Sequence, residues 1–129
     1  MPHDPMPEDH ASLAEPALRL FFKIATLWSM TEAEQFGALG ISSQTTLQHW
    51  RTGRMYGFGE DQLQRVSYVL GIYKAINTLL PDPIRADQWI RRPNSAPLFR
   101  GRSAIDLIAS GSLTDLAAVR HYLDAQLER

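Results

Sequence analysis

The stretch TEAEQFGALGISSQTTLQHWRTGR, residues 31–54, decides how this chain is read. Thr31 with Glu34 three positions on has the spacing of a capping box, in which the Thr hydroxyl and the Glu carboxylate each satisfy a free backbone amide at a helix start. Gly40 can take the left-handed conformation that stops a short helix. Ser42 or Ser43 can cap a second one, which Gly53 ends. Two short helices joined by a glycine turn are the outline of a helix-turn-helix. In the second helix Leu47 and Trp50, three apart, can anchor it to a core and leave its other side polar.

That polar side, with its cap and the residues just after it, comprises Ser43, Gln44, Thr45, Thr46, Gln48, His49, Arg51 and Arg54. Gln, Thr and Arg hydrogen-bond base edges and phosphates in a major groove. The same residues would also make an ordinary solvated face, and two arginines are a small charge for a DNA surface. If the element binds DNA it should do so as a dimer, since one small module with few phosphate contacts holds weakly.

Upstream, residues 1–12 contain three prolines and three acids without Lys or Arg, and they read as a mobile tail. A helix is expected from Pro16, a residue suited to the first turn, to about Ser29. Leu18, Phe21, Phe22, Ala25 and Trp28 share one face, and Leu20, Ile24 and Leu27 form a second stripe. Such a helix should be largely buried.

Downstream, EDQLQRVSYVLGIYKAINTLL (60–80) is the longest helical pattern. Leu63, Val66, Leu70 and Tyr73 form one stripe, and Val69, Ile72, Ile76 and Leu79 another. Two stripes fit a central helix packed on both sides, or packed once internally and once on a second chain. Gly71, mid-helix, points to a close approach there. Pro81 and Pro83 end the pattern, and a short helix around 85–92 carries Trp89. Ser103 with Asp106, and Ser112 with Asp115, have the spacing of further capping boxes, the second opening a final helix to about Leu127. No strand and no repeat is legible. The expected class is all-α, with a tail over 1–12, a helix-turn-helix region over 13–59 and a second helical unit over 60–129.

Composition narrows the function. The 129 residues carry a formal charge of −1 and no cysteine, which excludes a disulfide framework and thiolate metal sites. No apolar run approaches bilayer length and no signal core opens the chain, so a cytoplasmic protein is expected. Charge is uneven: residues 85–102 hold five arginines against Asp87 alone. His3, His10, His49 and His121 show no metal-ligand spacing, and Gly57-Phe58-Gly59 has neither the preceding strand nor the third glycine of a phosphate loop. Carboxylates such as Glu60-Asp61 open helices, where the dipole accounts for them. With no nucleophile, base, metal or cofactor site assembled, an enzyme is not expected.

The C-terminal half carries a resemblance. LGIYKAINTLLPDPIRADQWIRRPN, followed by LFRGRSAIDLIASGSLTDLAAVRHYLDAQ, closely resembles the MbcA/ParS/Xre family of bacterial antitoxins paired with RES-domain toxins. The similarity spans roughly 60–126 and combines Gly71-Ile72-Tyr73, Trp89, Pro93-Asn94, Gly101, Ile105-Asp106-Leu107, Gly111 and Leu116 to Asp124. Many relatives have a proline where this chain has Ala104. The resemblance implies an antitoxin whose C-terminal domain obstructs the active site of an NAD-consuming or ADP-ribosylating RES toxin encoded next to it. It also implies an N-terminal domain that dimerises and binds the operon's own operator DNA, with toxin and antitoxin forming a hetero-oligomer and no membrane involved. Asn94, Leu98, Phe99, Arg100, Arg102, Arg120, His121 and Asp124 are the toxin contacts it suggests, with Phe99 as an apolar anchor. A stand-alone helix-turn-helix regulator whose C-terminal part only dimerises is the alternative.

Overall fold

The computed structural model describes the backbone of residues 5–129 and the side chains of residues 13–129. Along them run α1 (Pro5–Leu27), α2 (Glu32–Leu39), α3 (Gln44–Arg51), α4 (Glu60–Leu79), α5 (Pro83–Trp89), α6 (Ala104–Ile108) and α7 (Leu113–Leu127). There is no strand among the described residues. The chain is all-α, with a helix-turn-helix in α2 and α3 followed by a smaller helical unit.

Local chemistry sets most of the helix ends. Thr31 and Glu34 form the expected box, the Glu34 amide donating to Thr31 Oγ1 at 3.1 Å and the Thr31 amide to Glu34 Oε1 at 2.9 Å. Gly40 closes α2 at φ +68°. Ser43, not Ser42, caps α3, its hydroxyl accepting from the Thr46 amide at 3.2 Å. Ser103 and Asp106 complete a reciprocal box, whereas Ser112 caps α7 through the Asp115 amide in one direction. Pro83 begins α5 instead of ending α4: Asp82 accepts from the Ile84 amide at 3.1 Å and the proline fills the first turn.

Two expectations about the first helix are corrected. It starts at Pro5, not Pro16, so residues 5–12 of the expected tail are helical and Pro16 lies inside the helix; residues 1–4 of that tail lie outside the described residues. Pro5 suits a first turn as well as Pro16 does, and Leu13 and Ala14 continue the helical preference. The helix is also less buried than its two stripes suggest. Leu18, Phe21, Ile24, Ala25 and Trp28 are buried, but Leu13, Leu20 and Leu27, spaced seven apart, are exposed.

The core is continuous across the chain. It joins Leu18 and Trp28 of α1, Leu39 of α2, Leu47 and Trp50 of α3, Ile72 of α4, Ala86 of α5, Leu107 of α6 and Leu116 of α7. Burying each large member stabilises by about 1.5–3 kcal/mol, and both halves of the chain contribute to the one cluster. α4 is the axis, packing on α1 along one side and on α7 along the other. Both of its stripes are thus used within one chain, and the double-stripe pattern carries no implication of a second copy. At Gly71 the expected close approach is present: a Cβ there would collide with the Arg120 guanidinium from α7. At Gly37 the neighbour is backbone instead of a side chain, with α2 lying so near the end of α6 that a Cβ would come within 2.6 Å of the Ala109 carbonyl carbon.

Candidate functional site

Two surfaces carry the residues singled out in the sequence. The first is the exposed side of α3. Leu47 and Trp50 are buried and fix the helix, while Gln44, Thr45 and Gln48 stand exposed along its outer side. Ser43 is exposed with its hydroxyl engaged in the cap, and Thr46 is half-buried. His49 is half-buried, its ring edge-on to Tyr56 at 5.4 Å. Arg54 is exposed just past the helix.

Arg51 is placed differently from expectation. Its guanidinium donates to Gln35 Oε1 at 2.9 Å and lies over the Phe22 ring at 5.6 Å. Gln35 is itself buried and donates to the Met30 carbonyl at 3.1 Å. Arg51 therefore ties the second helix of the motif to the first and to α1, because a guanidinium at that edge of α3 finds an amide acceptor and an aromatic face within reach.

Sequence reasoning missed Tyr56. It is 67% exposed, yet its backbone is held: Trp50 Nε1 donates to the Tyr56 carbonyl at 2.7 Å, and Phe58 packs edge-on against Trp50 at 5.1 Å. The loop after α3 is thereby folded back along the helix, setting the phenol beside His49. The available signal was Trp50, since a buried indole N–H needs an acceptor and the following loop is the nearest source.

The second surface is the segment after α5. Asn94 closes it into a loop: its amide donates to the Arg102 carbonyl at 3.0 Å, its carbonyl accepts from Gly101 at 2.9 Å, and its side chain accepts from the Ala96 amide at 2.9 Å. Phe99 is 0% exposed at the centre of that loop, edge-on to Trp89 at 6.0 Å and to Tyr122 of α7 at 5.1 Å. Asn94 is thus a staple, and Phe99 is core rather than an outward anchor. The resemblance suggests Phe99 as an anchor, but the closed loop turns its single aromatic inward.

On α7, Arg120 lies across Gly71 and pairs with Asp124 at 3.1 Å, so these two residues are engaged within the chain. His121 is exposed, with its ring edge-on to Tyr68 of α4. Of the expected contact set, Arg100, Arg102 and His121 are exposed and Leu98 is half-buried. Arg100 holds φ +51° and Gly101 φ +84°, a turn that lifts the two arginines outward.

Arg91 joins the two surfaces. Its guanidinium donates to the Trp28 carbonyl at 2.9 Å and the Ser29 carbonyl at 2.8 Å, satisfying the open end of α1, and forms two bonds to Glu34 at 2.7 and 3.2 Å. Glu34 is also half of the capping box that starts α2. The Arg91 guanidinium holds the Glu34 carboxyl below the usual carboxylate range despite its partial burial. One side chain at the head of the C-terminal loop thus reaches the first helix of the motif.

Among the described residues no group of three or more His, Asp or Glu could hold a metal ion. No helix is long and apolar enough to cross a membrane. A helix-turn-helix with a polar outer face shares its core with a small helical unit that carries a closed basic loop between α5 and α6. Comparison with known proteins makes both parts specific. Residues 9–71 match the family described as the antitoxin Xre-like helix-turn-helix domain, and residues 76–128 match the antitoxin Xre/MbcA/ParS C-terminal toxin-binding domain. The chain belongs to the Xre/MbcA/ParS antitoxin family. It is 36% identical over 120 residues to the uncharacterized protein y4oB of Sinorhizobium fredii, covering 93% of this chain and 91% of that protein. No solved structure matches it. The two matched regions meet inside α4, between residues 71 and 76, which is the helix that both halves pack on.

Proposed function

We propose that this antitoxin neutralises a RES-domain toxin encoded next to it, one that consumes NAD or transfers ADP-ribose from it, by covering that enzyme's active site. The carrying observation is the C-terminal toxin-binding domain with Arg100 and Arg102 exposed and, among the described residues, without a carboxylate partner on a closed, pre-shaped loop. Guanidinium forks pair bidentately with carboxylates, which two exposed arginines on one loop can reach at a partner's surface. A loop ordered before docking loses little freedom on binding. On this reading residues 60–129 are the toxin-binding unit, residues 13–59 the DNA-binding unit, and the protein works in the cytoplasm as part of a hetero-oligomer with the toxin. Co-expression tests it: the neighbouring product alone should stop growth and the full-length chain should restore it. Lethality that the antitoxin leaves unchanged would end the proposal.

The helix-turn-helix reads the operon's own promoter and represses it, with Gln44, Thr45 and Gln48 toward the bases and Arg54 and Tyr56 toward the backbone. A homodimer supplies the second half-site, and the exposed Leu13, Leu20 and Leu27 give α1 an apolar stripe suited to self-pairing. Arg54→Ala should weaken binding to a duplex from upstream of the gene and lower the log–log salt slope by about one. An unchanged slope would place Arg54 outside the interface.

A further inference from the structure

The start of α2 is held by a residue that lies outside the matched helix-turn-helix. That match ends at residue 71, whereas Arg91 falls within residues 76–128. The link from α1 to α2 is short, and Ser29 within it sits at φ +54°, a region that a residue with a Cβ rarely adopts. Bonds on every side set this turn. The Met30 amide donates back to the Ala25 carbonyl at 2.8 Å, buried Gln35 donates to the Met30 carbonyl, and Arg91 takes the carbonyls of Trp28 and Ser29. The same guanidinium holds both carboxylate oxygens of Glu34, whose side chain is only 22% exposed. The hydrogen bond between them moves both ionisations, the Glu34 carboxyl down and the Arg91 guanidinium up. At the other end of α2, Arg65 of α4 lies against Gly40.

We propose that Arg91 is a positioning residue for DNA recognition, setting the angle at which α3 meets the operator without touching DNA itself. The inference rests on the DNA-binding reading and goes beyond it by placing a determinant of that reading in the other matched domain. The path runs through bonded neighbours. Arg91 fixes Glu34, and Gln35 follows it in the same turn of α2 and accepts from Arg51 of α3 at 2.9 Å. Only residues 40–43 separate the two short helices, so a change of direction at the start of α2 tilts α3 and with it Gln44, Thr45 and Gln48. All three guanidinium nitrogens of Arg91 already donate within the chain, which leaves little of the side chain for a phosphate. A guanidinium suits this seat and an ammonium does not. Its planar fork faces the carboxylate while the remaining N–H groups reach two carbonyls, whereas a lysine offers three donors from a single point.

The test uses the full-length chain at a temperature where circular dichroism shows every variant folded. Binding is measured across a range of salt to a duplex from upstream of the gene and to an unrelated duplex. Arg91→Lys should weaken binding to the upstream duplex about ten- to a hundredfold, comparable to losing one well-placed base contact. Affinity for the unrelated duplex and the salt slope should stay as in wild type, because no phosphate contact is lost. Glu34→Gln keeps a side-chain oxygen for the cap and removes the charge from the pair. It should weaken the upstream complex in the same direction, and adding it to Arg91→Lys should cost little more, since the two residues act as a unit. If folded Arg91→Lys binds the upstream duplex as wild type does, Arg91 serves the fold alone and the proposal is overturned. Equal losses on both duplexes, with a salt slope lower by about one, would make Arg91 a phosphate contact and overturn it as well. A wild-type chain that does not distinguish the two duplexes would overturn the DNA-binding reading and this role with it, an outcome visible before any variant is made.

Discussion

Phe99→Ala is expected to destabilise the protein by about 3–5 kcal/mol in urea unfolding, the ordinary cost of truncating a buried aromatic. Phe99 holds three elements together: the loop it belongs to, Trp89 at the end of α5 and Tyr122 of α7. Removing the ring leaves a cavity that a loop stapled by Asn94 cannot collapse to fill. Toxin binding should fall with stability, because Arg100 and Arg102 lose their platform. Phe99→Leu keeps most of the volume and should cost less than about 1.5 kcal/mol, with affinity largely retained. A Phe99→Ala protein of wild-type stability that no longer binds toxin would return Phe99 to the role of an outward anchor.

Gly37→Ala is expected to be the more disruptive of the two glycine substitutions within helices. The new methyl would meet the backbone of Ala109, with the carbonyl carbon at 2.6 Å and the Cα at 3.1 Å, and backbone cannot swing aside as a side chain can. Either α2 or α6 must shift. Overpacking of this kind costs about 1–3 kcal/mol, and in a chain of this length that lowers the melting temperature by roughly 3–12 °C. Because α2 begins the helix-turn-helix and α6 follows the basic loop, promoter binding and toxin binding should weaken together. Gly71→Ala meets the Arg120 guanidinium instead, which can move at the expense of its Asp124 pair, so its effect should be smaller. Equal melting temperatures for Gly37→Ala and wild type would contradict the close packing of α2 on α6.

These two residues also show what was legible beforehand. Helix ends were readable because capping is local chemistry: Thr31 with Glu34, Gly40, and Ser103 with Asp106 each act within a few residues of themselves. The helix-turn-helix followed from those ends and from Leu47 and Trp50. What failed was anything decided by a distant partner. Nothing local to Phe99 says that Trp89 and Tyr122 converge on it. The bond from Arg51 to Gln35, sixteen positions away, and the seat of Arg120 on a glycine of another helix have no local signal. Gly37 gave no signal at all, since a helical glycine reads as a weak helix former until the neighbouring backbone is known. The double stripe of α4 matches its two contacts, on α1 and on α7, but periodicity cannot say whether the second lies in the same chain.

The most direct measurement of the central claim is NAD turnover by the purified neighbouring toxin while this antitoxin is titrated in. The account predicts that turnover falls to background near a stoichiometric ratio, and that an Arg100→Ala, Arg102→Ala double variant needs a clear excess to reach the same point. Undiminished turnover in the presence of a stable toxin–antitoxin complex would contradict it, because the toxin would then be bound without its active site being covered.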